Sequence, residues 1–222
     1  YTPRRNTTSL RIPPLSRFNM LFTIRHRTQY SYSQPVQLSP HCLRFHPRDD
    51  GAQRIIEHSL EISPLPQGRN DHIDLEGNRV AQVWFESDTE HFEINLAMQV
   101  ETLRHNPFDF VLGREAISLP IDHAHDVICA RAYLERIAAD DAVTAFAAEL
   151  SLAVDRDTLR FLDRLNRELF SDFKHIHRET GTPQCPAMTL QSREGACRDL
   201  AVLFVDCCRT EGLAARFASG YQ

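Results

Sequence analysis

The chain has 222 residues, of which 42% are hydrophobic and 25% are charged, and its formal net charge is −5. This composition is typical of a globular protein with one large or two modest domains, and it excludes a mainly disordered chain. No stretch of the sequence approaches the ~20 consecutive apolar residues of a transmembrane helix, so no membrane association is predicted.

Residues 1–19 predict a disordered leader. This segment contains four arginines and three prolines, and it lacks the apolar core of a secretory signal. Arginines continue without any acid as far as residue 48, but the whole chain is acidic and does not interleave basic with aromatic residues. Nucleic-acid binding is therefore not predicted.

In residues 20–103 apolar side chains recur with a period of two, which is typical of half-buried antiparallel strands. The alternation is clearest after Met20, over residues 56–62 and over residues 92–100. Turn signals rich in proline, glycine and asparagine separate these runs, so this region predicts a β-sandwich domain. In the second run, the residues predicted to share one face are Ile56, His58, Leu60 and Ile62.

Residues 104–121 predict a connector, because prolines and glycines interrupt any regular element there. Beyond it, residues 122–222 follow the period of helices. Residues 213–221 predict a strand after Gly212, which suits the end of the last helix. The predicted fold class is therefore α+β, an antiparallel sandwich followed by a mainly helical half. Helices are predicted around residues 128–137, 142–152, 158–170 and 197–211, with a loop at 180–186.

Cys197 stands at the predicted start of the last helix, directly after Gly195 and Ala196. A helix N-terminus presents backbone N–H groups without intrahelical acceptors, and it carries a partial positive charge. Both favour the nucleophilic thiolate, and the same N–H groups can stabilise an oxyanion. Cys197 is therefore the candidate catalytic nucleophile, although a lone cysteine near a helix start is more often a buried apolar residue.

The remaining cysteines predict no chemistry. The chain has six cysteines but no CxxC pair, so neither a zinc ribbon nor a thioredoxin-like motif is predicted. Cys207 and Cys208 are predicted to be buried in the last helix as small apolar residues. Reduced thiols in a chain without a secretory signal predict a cytoplasmic protein, and no cofactor is predicted.

Two stretches of sequence resemble one protein family. Residues 195–201, GACRDLA, followed by a helix and by residues 212–221, GLAARFASGY, resemble the nucleophile region of the transglutaminase-like superfamily. Residues 30–36, YSYSQPV, residues 43–48, LRFHPR, and residues 74–78, DLEGN, resemble the β-rich N-terminal region of its bacterial members. The resemblance covers residues 20–222.

This resemblance implies a papain-like core in which Cys197 begins a helix packed on a sheet and belongs to a Cys-His-Asp triad. It aligns Asp199, Arg216 and Tyr221 as local support of the site. In the family, the base is a histidine on a strand some tens of residues after the cysteine, and the aspartate lies further on. Residues 198–222 contain no histidine. We therefore expect both groups to lie beyond residue 222 in a full-length protein, and the chain as given to be inactive.

Other histidines offer alternative partners. His175 and His177 precede Cys197 by about 20 residues, and one of them could fold back onto the thiol, but the favoured interpretation is that both face solvent. With Cys185 they form only a weak zinc pattern, so no metal is predicted. Weaker sets are His123 with His125, and His41 with Cys42 and His46.

Two functions compete. The favoured function is cysteine-dependent acyl transfer or hydrolysis on a peptide or carboxamide, as in a transglutaminase-like protease or amidase, with a peptide or protein as the substrate. The alternative is a non-catalytic protein-binding module with a degenerate site. A chain that ends just inside a sheet also predicts self-association through the exposed sheet edge.

Overall fold

The computed structural model describes residues 19–106, 108–123, 130–178 and 180–221. The chain divides into two compact units between Asp109 and Phe110. Antiparallel sheets form the first unit and helices dominate the second, which confirms the predicted α+β class. The predicted leader, apart from residue 19, lies outside the described residues.

Two three-stranded antiparallel sheets form the first unit. One sheet has the order β1–β6–β3, and the other has the order β2–β5–β4. Apolar residues of both sheets share one core, in which Leu43, Ala81 and Val83 of the second sheet pack with Phe92 and Ile94 of the first. The strands are β1 (Met20–Val36), β2 (His41–Leu43), β3 (Gln53–Ser63), β4 (Gly68–Ile73), β5 (Arg79–Trp84) and β6 (Thr89–Thr102).

The second predicted strand contains an irregularity that the period-two pattern did not reveal. The register of β3 against β6 shifts between Ile55 and Glu57, so Ile56 is an extra residue. Its side chain is 50% exposed, whereas His58, two residues later, is half-buried. The prediction that Ile56 and His58 share one buried face is therefore wrong, because the extra residue of a bulge breaks the alternation of side chains between the two faces of the sheet.

Capped helices pack around one core in the second unit. The Asp140 side chain accepts hydrogen bonds from the N–H groups of Ala142 and Val143, and the Asp157 side chain accepts one from Arg160 N–H. These carboxylates satisfy donors that a helix start leaves without partners. The helices are α1 (Arg131–Leu134), α2 (Asp141–Leu152), α3 (Thr158–Asp172), α4 (Pro186–Ser192) and α5 (Cys197–Thr210).

The predicted helices at 142–152, 158–170 and 197–211 are confirmed within two residues at each end. Only Arg131–Leu134 is helical in the described part of the predicted 128–137 helix, and residues 124–129 lie outside the described residues. Helix α4 was missed, because only seven residues form it between loop signals.

Gly212 ends α5 as predicted. Its backbone adopts φ +76°, and an added Cβ would lie 2.6 Å from Pro120 Cβ. Both the left-handed conformation and the close approach favour glycine. The strand predicted at 213–221 is wrong, since these residues join no ladder in the described part of the chain. The sheet edge on which self-association was predicted is consequently not formed there.

Replacement of Leu165 by Ala should destabilise the second unit, because Leu165 on α3 is 0% exposed in its core. The loss of buried methyl groups and the residual cavity should cost about 2 to 5 kcal/mol. Leu159→Ala on the same helix is the control, because Leu159 is 45% exposed. Urea unfolding followed by far-UV circular dichroism measures both, and equal losses would contradict the assigned core.

Candidate active site

The first turn of α5 packs tightly against the glycine that precedes its N-cap. Ala196 is the N-cap residue, with extended backbone, and Cys197 is the first helical residue. A Cβ on Gly195 would lie 3.0 Å from Asp199 Cβ and 3.2 Å from Thr189 Cγ2. Close packing therefore favours glycine at position 195, directly before the N-cap of the helix that Cys197 begins.

A short parallel pair of strands brings a histidine beside this turn. Strand β7 (Lys174–His175) pairs with β8 (Glu194–Gly195). Lys174 N–H donates to the Arg193 carbonyl at 2.8 Å, and Ile176 N–H donates to the Gly195 carbonyl at 3.0 Å. These two bonds place His175 next to the residue that precedes the N-cap of α5.

The imidazole of His175 meets the thiol of Cys197. The distance from His175 Nε2 to Cys197 Sγ is 3.0 Å, and both side chains are exposed. A thiol and an imidazole in hydrogen-bond contact form the minimal arrangement in which a base can take the proton of a nucleophile. Because both groups are accessible, a substrate carbonyl can also reach the sulfur.

The sequence interpretation placed His175 and His177 in solvent. Both side chains are exposed as expected, but the interpretation missed the contact of His175 with Cys197. The two residues of β7 are too few to give a periodic signal, and the pairing with β8 is a tertiary contact. The buried Phe173 directly before β7 is the one local sign that this segment is anchored.

Asp199 is a fully buried carboxylate that holds together the segments around Cys197. Its Oδ2 accepts the N–H of Ala196 at 2.9 Å. Its Oδ1 accepts the N–H of Gln184 at 2.8 Å and Nη2 of Arg178 at 2.5 Å. Burial alone would raise the pKa of Asp199, but the two backbone donors and the Arg178 charge together lower it below 3.8.

Arg198 also holds the segment between β7 and α4 through hydrogen bonds. Its guanidinium donates to the carbonyls of Arg178 and Thr180, each at 2.7 Å. Consecutive residues of α5 thus hold the chain between β7 and α4 at several points. This agrees with the local supporting role that the family pattern implied for Asp199. Arg216 and Tyr221 lie in the segment after Gly212, outside any strand.

The other thiols divide into two classes. Cys207 and Cys208 are buried on α5, as predicted, and burial raises the pKa of both thiols, that of Cys208 to about 12. Cys42 and Cys185 are exposed. All five cysteines in the described part of the chain, including Cys197, are free thiols. Cys129 lies outside the described residues.

The remaining histidine sets do not form a ligand cluster. His123 Nε2 lies 3.1 Å from the Gly212 carbonyl, whereas His125 lies outside the described residues. Among the described residues, no group of three or more His, Cys, Asp or Glu side chains is arranged to hold a metal ion. Within the same ranges, no helix combines the length and apolar character needed to cross a bilayer.

Two stretches of the chain match the models of one known family. Residues 22–101 match the bacterial transglutaminase-like N-terminal region, and residues 144–222 match the transglutaminase-like superfamily. The chain belongs to the transglutaminase-like superfamily, as its sequence motifs indicated. Cys197 and the residues that fasten it all lie in the second matched segment.

The proteins that this chain matches over most of its length are longer than the chain. Uncharacterised proteins of Mycobacterium bovis and Mycobacterium tuberculosis are 27% identical over 208 residues, which cover 90% of this chain and 65% of theirs. A crystal structure of a provisionally assigned cysteine protease from Cytophaga hutchinsonii shares the fold, with a TM-score of 0.64 at 18% identity. That match covers 88% of this chain and 65% of the other. The chain thus spans about two-thirds of the length of these proteins.

Replacement of Asp199 by Asn should destabilise the second unit by about 3 to 5 kcal/mol, because it leaves Arg178 without its buried anionic partner. The NH₂ group of Asn would also face the N–H donors that now bond to the carboxylate. Asp163→Asn on α3 is the matched control. The Asp163 carboxylate is exposed and pairs with Arg167 at 2.9 Å, so its loss should cost less than about 1 kcal/mol. Urea unfolding compares the two, and equal small losses would contradict a fastening role for Asp199.

Low pH should remove the contribution that the charged Asp199 side chain makes to the free energy of unfolding. Because its pKa is lower in the folded protein than the ordinary 3.8, the charged form stabilises the fold above that value. This stabilisation is lost as pH falls through the lower folded pKa. The stability difference between the wild type and Asp199→Asn should therefore shrink below pH 3.8, whereas a difference that stays constant would count against the assigned ion pair.

Proposed function

We propose that Cys197 is the nucleophile of an enzyme that transfers or hydrolyses the acyl group of a peptide or carboxamide. The observation that carries this proposal is the 3.0 Å contact between Cys197 Sγ and His175 Nε2 at the N-terminus of α5. Membership of the transglutaminase-like superfamily supports the same chemistry.

In the first step, the imidazole of His175 takes the proton of the Cys197 thiol. The resulting thiolate attacks the substrate carbonyl. A carbon–sulfur bond forms while the carbonyl electron pair moves to oxygen. The oxyanion then requires hydrogen-bond donors. Since Ala196 N–H already donates to Asp199, we assign this role to the next N–H groups of the helix start, beginning with Cys197 itself.

In the second step, the oxyanion collapses and breaks the carbon–nitrogen bond. The leaving ammonia or amine takes the proton held by imidazolium, and a thioester remains on Cys197. Water then attacks the thioester, gives its proton to imidazole and releases a carboxylic acid with the free thiol. An amine in place of water would form a new amide, which is the transfer reaction.

We infer that the activity belongs to a reducing compartment. The five described cysteines are free, and Cys42, Cys185 and Cys197 are exposed. We therefore place the activity in the cytoplasm, on a peptide or protein substrate, where thiolate chemistry does not compete with disulfide formation. The net negative charge of the chain does not favour a nucleic-acid substrate.

Cys197 should react with iodoacetamide faster than the exposed Cys42 and Cys185 at neutral pH. An ordinary thiol is only a few per cent thiolate at pH 7, so complete ionisation could raise the rate by at most about 30-fold. Buried Cys207 and Cys208 should stay unmodified in the folded protein. Peptide mass spectrometry after timed labelling gives each rate, and equal rates at the three exposed thiols would contradict an activated nucleophile.

His175→Phe should slow the labelling of Cys197 toward the rate of Cys42, because Phe keeps a ring but removes the nitrogen at the thiol. His177→Phe is the control, since it changes an exposed histidine two residues away. The 222-residue chain suits this experiment, because residues 198–222 contain no histidine that could replace His175. An unchanged Cys197 rate in His175→Phe would remove His175 from the proton transfer without removing Cys197 as nucleophile.

In a full-length protein, Cys197→Ser should lower the release of ammonia from peptide carboxamides at least about a thousand-fold, as expected for loss of a covalent nucleophile. Cys42→Ser is the control on the other unit. Mass spectrometry of a quenched wild-type reaction should find the acyl group on the Cys197 peptide. Full activity in Cys197→Ser would refute the proposal, and peptide binding without turnover by the wild type would instead support a binding module.

A further inference from the structure

Charged residues occupy the core side of an edge strand in the first unit. In β4, Arg69 is opposite Val83 and Asp71 is opposite Ala81, and both apolar partners belong to the core. Directly opposed residues of an antiparallel pair project from the same face of a sheet. Arg69 and Asp71 therefore stand on the face where an ordinary sandwich carries apolar side chains.

The β3 bulge adds a histidine to this place. By shifting the register at Ile56, it turns His58 inward. The ring of His58 lies 4.5 Å from that of His46, and its Nε2 is buried without a hydrogen-bond partner. Buried polar atoms are rarely left without a partner, so this nitrogen marks a position where a ligand can supply one.

These residues line a cleft of about 340 Å³ in the first unit. Its volume is at the lower end of the range of small-molecule sites, about 300 to 1,000 Å³. Its polar side has more cationic than anionic groups, because Arg69 neutralises Asp71 through two bonds of 2.8 and 2.9 Å while Arg79 remains. No carboxylate in the described part of the chain forms an ion pair with Arg79. The apolar floor consists of Leu43, Phe45, Leu60, Val80 and Ala81.

We propose that this cleft binds a small carboxylate with an apolar stem, with the carboxylate between Arg79 and His58 Nε2 and the stem on the apolar floor. A bare inorganic anion would leave the floor uncovered, and a neutral apolar molecule would leave Arg79 and His58 without a partner. The residues of this cleft all belong to the first unit and Cys197 belongs to the second, so the proposal does not depend on the proposed catalysis.

Proton uptake should accompany binding. Burial lowers the pKa of His58, and the charges of His46, Arg69 and Arg79 lower it further, against a backbone hydrogen bond with Phe45 that raises it. His72 and Asp71 on β4 complete the titratable groups that line the cleft. A bound carboxylate favours the charged imidazole, in which Nε2 becomes a donor, so affinity should rise as pH falls from 8 to about 6.

The test uses hexanoate, hexanamide and inorganic phosphate as probes, added to the 222-residue chain and followed by NMR shifts of its histidine rings. Hexanoate should bind at least about ten-fold more tightly than hexanamide, and more tightly than phosphate, with shifts at His46 and His58. Arg79→Gln should weaken hexanoate about five-fold or more, whereas Arg25→Gln, an exposed arginine of β1 outside the cleft, should leave it unchanged.

His58→Phe should abolish the pH dependence of hexanoate binding, which keeps its charge over this range because aliphatic carboxyls titrate near about pH 4 to 5. If His58→Phe does not fold, Arg79→Gln and the pair of hexanoate and hexanamide still decide the question. Equal affinity for hexanoate and hexanamide, phosphate binding as tight as hexanoate binding, or no shifts at His46 and His58 would each overturn the proposal.

Discussion

The geometry of the site depends on one buried carboxylate. Asp199 accepts a hydrogen bond from the N–H of Ala196, which fixes the start of α5. It also accepts hydrogen bonds from the Gln184 N–H and the Arg178 guanidinium in the preceding segment. A buried carboxylate is tolerated only when its oxygens are fully paired, so all three donors must be in place together. The position of the thiol is therefore coupled to the segment that follows His175, rather than to α5 alone.

The contact between Cys197 and His175 also depends on the short parallel pairing of β7 with β8. Only two residues of each strand take part, and they are held between the buried Phe173 and the close-packed Gly195. Helix α4 lies between these strands in sequence and packs against α5, so it closes the connection that parallel strands require. The contact between Cys197 and His175 is thus built from elements too short to be stable by themselves.

The first unit shows how a local irregularity changes the chemistry of a regular fold. Without the bulge at Ile56, strict alternation from Ile55 would put His58 and Leu60 on the opposite face of the sheet. With it, a histidine joins Arg69 and Asp71 on a face otherwise used for packing. Polar groups in such a position weaken the core, and a ligand that pairs with them would offset that cost.

The sequence by itself determined the α+β class, the division into a strand-rich and a helical part, and Cys197 at the start of α5, because these follow from periodicities and caps within a few residues. It also determined, through its motifs, the superfamily to which the chain belongs. Only the tertiary structure decided that His175 contacts the thiol, that Ile56 is a bulge and that residues 213–221 form no strand. These features depend on pairing between segments distant in sequence, and local propensity carries no information about such pairing.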